Sequence, residues 1–218
     1  MGRTFADRLS DEFSDDAGVR RAIADYFAPA GSATFTGSQF EVIADTGRPN
    51  EITAADLVAV SMLSVDVPPR VSRWILGEEG HEAVAGLLSQ VPVDMDIWDP
   101  EAPKLLSKGG PLWDLWDLLD AANWPTRIKG NGMGPTRLSK VLAVKRPRLV
   151  PVWDSVVGAV LGPIDGFWED MRLALTDPSM RSRIEDLTSD APDHVSLLRR
   201  VDAVVWSRNR SAHENAGD

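Results

Sequence analysis

One carboxylate, Asp154, closes a stretch whose residue types suit work on a phosphate backbone. Gly130-Asn-Gly-Met-Gly134 is a glycine-rich turn. The residues from Gly134 to Val144 read as a short amphipathic helix, Lys145-Arg-Pro-Arg148 as a basic loop, and Val152-Trp-Asp154 leads into an apolar segment. Gly132 and Gly134 permit positive φ and close backbone approach. Amides at a turn and helix N-terminus attract anions. From Thr126 to Trp153 there are seven basic residues (Arg127, Lys129, Arg137, Lys140, Lys145, Arg146, Arg148) and no acidic one. Of 23 basic residues in the chain, 16 lie elsewhere, against 33 acidic ones, so an acidic protein gathers its positive charge beside the turn.

The DNA contacts expected from this pattern are Lys129, Gly130, Gly132, Gly134, Thr136, Arg137, Lys140, Lys145, Arg146 and Arg148, with an affinity that falls as salt rises. A carboxylate fixed at Asp154 can stabilise developing positive charge and orient a water. Each feature also has a structural reading. The glycines can form an ordinary interhelical turn, the cations a solvated face, and Asp154 an N-cap.

The segment resembles the core of the helix-hairpin-helix DNA glycosylase superfamily. Gly132 and Gly134 match its hairpin glycines, Ser139–Val144 lies in the helix that follows, Pro147 falls in the loop, and Val152-Trp-Asp-Ser-Val-Val157 matches its aspartate motif. The interval of 22 residues from Gly132 to Asp154 is one that superfamily members use. The resemblance covers about 25 of 218 residues. It implies a DNA-binding protein that excises damaged bases, with Asp154 as the catalytic carboxylate. Members that also cleave the backbone carry a lysine just after the second hairpin glycine. Pro135-Thr136 stands there in this chain, which implies a monofunctional enzyme without a Schiff-base step. The segment also resembles that of uncharacterised bacterial families with the same turn and basic helix, which imply no activity. The alternative reading is a non-enzymatic DNA-binding or protein-interaction module that keeps the hairpin.

Outside this segment the chemistry is sparse. Trp124, between a helix end and the basic run, can stack on a base or anchor a loop. Trp113 and Trp116 lie on an apolar helix face and read as core. His81, His194 and His213 are isolated from one another, and Asp94, Asp96 and Asp99 lack the glycine and terminal glutamate of a calcium loop, so no metal site or cofactor is expected. The absence of cysteine excludes disulfides, thiolate nucleophiles and iron–sulfur clusters. With 43% apolar and 26% charged residues the class is ordinary globular. No secretory signal and no membrane span is apparent, so a cytoplasmic monomer without membrane contact is the default.

The elements that must position these residues are helical. Apolar spacing predicts helices at Val19–Phe27, Thr53–Ser64, Pro68–Leu76, Glu79–Gln90, from Pro111, Gly134–Val144, Asp154–Leu161, Gly166–Leu175, Pro178–Leu187 and Asp193–Trp206. Thr53-Ala-Ala-Asp56 reads as a capping box. Thr34–Ile43 reads as a short strand, hairpin or extended loop. The expected fold is all-α or mostly α, in two packed helical lobes (15–108 and 109–208) with a helix-hairpin-helix element. A frayed N-terminus (1–14) and a flexible tail (209–218) flank them.

Overall fold

Capping residues and prolines set the helix ends along most of this chain. The computed structural model describes residues 2–29, 35–120 and 132–216. It is an all-α protein, 63% helix, with no strand among the described residues. In order come α1 (Phe5–Glu12), α2 (Asp16–Tyr26), a 3-10 turn (Thr36–Gln39) running into α3 (Phe40–Ile43), α4 (Ala54–Ser61), α5 (Pro69–Ile75), α6 (Glu78–Leu88) and α7 (Ala102–Leu106). Then follow α8 (Pro111–Leu119), α9 (Gly134–Lys145), α10 (Ser155–Leu161), α11 (Phe167–Thr176), α12 (Pro178–Leu187) and α13 (Leu197–Ala216). Thr53 and Asp56 form the capping box of α4. Proline stands in the first turn of α5, α8, α9 and α12, where a missing N–H costs nothing.

Four elements depart from the sequence reading. Residues 4–12 are not frayed: Thr4 and Asp7 cap α1 reciprocally, and Phe5 and Leu9 are buried. Polar composition hid two apolar residues at helical spacing. Thr36–Ile43 is helical rather than extended, with Phe40 buried. The last helix runs on to Ala216, because Asn209 Nδ2 donates to Glu12 and the Arg210 guanidinium stacks 4.6 Å from the Phe35 ring centroid. The fourth is α7, which is too short for periodicity to reveal.

One continuous core runs from Phe5 to Val205. The chain's start packs on its end: α2 against α13, and α1 against α10 and α11. Helix α9 packs against both α4 and α8, and every residue from Leu138 to Lys145 is buried. The connection from α8 to α9, including Trp124, Lys129 and Gly130, lies outside the described residues.

Candidate active site

The central placement of α9 decides what its cations do. Lys145, 2% exposed in its side chain, pairs with the fully buried Asp56 at 2.6 Å and donates to the Asp45 and Arg48 carbonyls. Arg146 is fully buried and donates to the carbonyls of Leu88, Val91, Pro49 and Lys145 and to Asn50 Oδ1. Burial lowers its pKa to about 10. Lys140 is buried, with Nζ 2.9 Å from the Leu63 carbonyl oxygen. These three were expected on a DNA-facing surface. The structure places them inside, because the helix that carries them is enclosed, and their charge satisfies buried carbonyls and carboxylates instead. Arg148 does face solvent, but holds Asp96 through two hydrogen bonds.

A test of this assignment is Lys145→Met. It leaves Asp56 buried without its cation, so denaturant unfolding should report a loss of about 3–5 kcal/mol, against less than about 1 kcal/mol for a surface pair.

Four candidates remain at the start of α9. Gly134 has φ +60°, and among the described residues no side chain caps the first amides of the helix. Gly132 lies just before it, and Thr136 in its first turn. Arg137 Nε donates to the Asp66 carbonyl and one terminal nitrogen to Gly132, without a carboxylate partner among the described residues.

Asp154 is both a cap and a cavity wall. Its Oδ1 accepts from the amides of Val156 and Val157 at 3.0 and 3.1 Å. Its Oδ2 lies 3.4 Å from Lys140 Nζ. Ser139 on α9 locks this register, because its hydroxyl donates to the Trp153 carbonyl and accepts from the Trp153 amide. Asp154, Lys140 and Thr136 line a cavity of about 400 Å³. Tyr26, Phe35 and Trp206 supply its aromatic walls, and the loop Met62–Val65 supplies another side. The Tyr26 and Phe35 rings stack at 5.4 Å, and Trp206 meets both edge-on. Arg210 lies over both Phe35 and Trp206 beside this wall. Ser64, with φ 60°, is the one non-glycine residue in the left-handed region among those described, and it too faces the cavity. Strain of this kind costs about 1–2 kcal/mol and clusters at functional sites.

A buried polar network lies against the same cavity. Arg199 pairs with Asp202, donates to Tyr26 Oη at 2.6 Å and to the Gly37 carbonyl at 2.9 Å, and lies 3.2 Å from Glu41 Oε1 without hydrogen-bond alignment. Burial pushes the Asp202 carboxyl up to about 6, against the pull of Arg199. Burial also raises Glu41 and Tyr26. Asp202 lines the cavity with Asp154.

Sequence reasoning missed Tyr26, Phe35, Asp202 and Trp206 as site residues. They come from three places in the chain, α2, the Phe35 turn and α13, and only Asp202 and Trp206 share a helix. A second cavity of about 660 Å³ is lined by Trp113, Trp116 and Trp168 with four acidic residues, and no cation is among its described walls, so it is unsuited to a phosphate backbone. Among the described residues no cluster of three or more histidine, aspartate or glutamate side chains is set to hold a metal, and no helix is long and apolar enough to cross a membrane.

Comparison with known proteins gives one match. Residues 19–209 fit DUF6308, a family of unknown function. No curated protein and no solved structure matches the chain.

Proposed function

We propose, for a chain that belongs to the DUF6308 family of unknown function, that it binds DNA at the start of α9 and hydrolyses an N-glycosidic bond at Asp154, releasing a base. The observation that carries this reading is the double role of Asp154. The residue that caps α10 also faces an aromatic-walled cavity whose volume, about 400 Å³, suits an extruded base. Small-ligand sites span roughly 300–1,000 Å³, and enzymes that act on a base take it out of the stack into such a pocket. Aromatic faces give a base a stacking surface. Three donors hold the carboxylate in one orientation, so it meets developing positive charge without reorganising. Lys140 acts here as the counter-ion of Asp154 and a donor to Leu63, so no covalent lyase step is expected and borohydride should trap no adduct.

The DNA face is smaller than the charge pattern suggests. It comprises the start of α9 with Gly132, Gly134, Thr136 and Arg137, together with Arg210 at the aromatic wall. The test is a mobility-shift titration of duplex DNA against salt. Affinity should fall with salt, and Arg137→Gln or Arg210→Gln should each lower the log–log slope by roughly one. Wild type that shifts no DNA at low salt would remove this reading. A second reading, a structural module without catalysis, is favoured by one observation: every contact of Asp154 is also what a helix cap needs.

A further inference from the structure

The cavity holds a second carboxylate that neither the sequence motif nor the helix caps account for. We infer that Asp202 is the proton-delivering residue of this site, a second catalytic carboxylate that gives its proton to the departing base. The inference rests on the base-excision reading above.

Asp202 sits on α13 and faces the same cavity as Asp154. Its Oδ2 is held by Arg199, while Oδ1 makes no hydrogen bond among the described residues. The side chain is 7% exposed and lines the cavity. Charged and titratable groups approach it from each packed element: Arg199 from its own helix, Tyr26 from α2, Glu41 from α3, Lys140 from α9 and Asp154 at the start of α10. Burial, with Asp154 and Glu41, raises its pKa, while Arg199 and Lys140 lower it, and burial prevails. Asp154 is differently placed, with three donors in contact. Two carboxylates in unlike surroundings on one cavity are what acid–base chemistry at a glycosidic bond requires.

The step balances without a co-reactant other than water. As the C1′–N bond breaks, its electron pair leaves with the base. The Asp202 O–H bond breaks and its proton goes to the departing base. Water oxygen bonds to C1′, and the proton it loses returns to Asp202. The products are the free base and a sugar hydroxyl. Asp154 stabilises the cationic sugar between these events.

The sign of the pH dependence follows. Protonated Asp202 is the active form, so the rate is at its plateau below its folded pKa of about 6 and falls as pH rises through that value. A base that leaves as a neutral molecule from an already cationic nucleoside needs no proton.

The experiment is single-turnover excision from pH 5 to 8 on two duplexes, one carrying hypoxanthine and one carrying 7-methylguanine, with wild type, Asp202→Asn and Asp202→Glu. Wild type should lose rate on hypoxanthine by about tenfold per unit above pH 6 and stay flat on 7-methylguanine. Asp202→Asn should lose about a hundredfold on hypoxanthine and under threefold on 7-methylguanine, in line with the worth of a general acid. Asp202→Glu keeps the acid and the Arg199 pairing and should restore the pH dependence. Equal loss on both substrates, or no loss on hypoxanthine, overturns the inference, and so does a wild type that excises only 7-methylguanine. If wild type excises neither base while still binding duplex DNA, the base-excision reading fails first and this inference falls with it. Circular dichroism separates an unfolded Asp202→Asn from an inactive one. If that variant unfolds, the wild-type pH profiles and Asp202→Glu decide.

Discussion

Asp154→Asn should lower base excision about a hundredfold or more while leaving DNA affinity within a few-fold of wild type. The expected loss reflects removal of a preoriented charge from a site where positive charge develops, an effect of about 3 kcal/mol or more. The substitution is nearly isosteric. Asn Oδ1 can keep the amides of Val156 and Val157, so α10 retains its cap. What changes is the side facing Lys140: an amide replaces the carboxylate oxygen 3.4 Å from the ammonium, leaving Lys140 with the Leu63 carbonyl alone. Stability should therefore fall by about 1–3 kcal/mol, more than a plain cap substitution. Denaturant unfolding checks that figure beside the kinetics. A variant that is destabilised yet fully active would mark Asp154 as structural only.

The largest stability effect belongs to Arg146→Ala. Five acceptors depend on this one guanidinium, four of them backbone carbonyls, including Leu88 at the end of α6 and Val91 just beyond. Removing it strips the buried carbonyls of Val91 and Lys145 of this donor, leaves Leu88 with the Val91 amide alone, and opens a cavity at a side chain that is fully enclosed. Each lost charge-assisted bond is worth about 1.5–3 kcal/mol, so a total of about 4 kcal/mol or more is expected even after partial hydration. A domain stable by about 5–15 kcal/mol would be left marginal. Arg146→Lys should recover little, because one ammonium offers three donors and no planar fork. Thermal or urea unfolding measures both. An Arg146→Ala protein as stable as wild type would show that water can replace the guanidinium at this junction.

The surroundings of Arg146 show how far a sequence reaches here. Local rules worked where the signal is local. The Thr53–Asp56 capping box, the prolines opening α5, α8 and α12, and the cap at Asp154 all depend on neighbours within four residues. The fold class followed from helical spacing. The environment of α9 did not, because its sequence looks amphipathic while the helix is enclosed by α4, α8 and loops distant in sequence. Lys140, Lys145 and Arg146 thus read as a solvated stripe when their partners, Leu63, Asp56 and the Leu88–Val91 turn, lie 55 to 89 residues away. The candidate site was half legible. Asp154 and the start of α9 were visible as a motif. The cavity they face was not, since its walls come from α2, the Phe35 turn, the Met62–Val65 loop and α13. Asp202 shows the limit well. Within its helix it reads as one polar residue among apolar ones, and only the fold brings it to Asp154.

The most direct test of the central claim is abasic-site formation. Oligonucleotide duplexes bearing alkylated, oxidised and deaminated bases are incubated with excess wild type or Asp154→Asn, and abasic sites are read by alkaline cleavage. The account predicts abasic sites on at least one duplex with wild type and about a hundredfold fewer with the variant. No abasic site across the panel, or equal yields from both proteins, would contradict it.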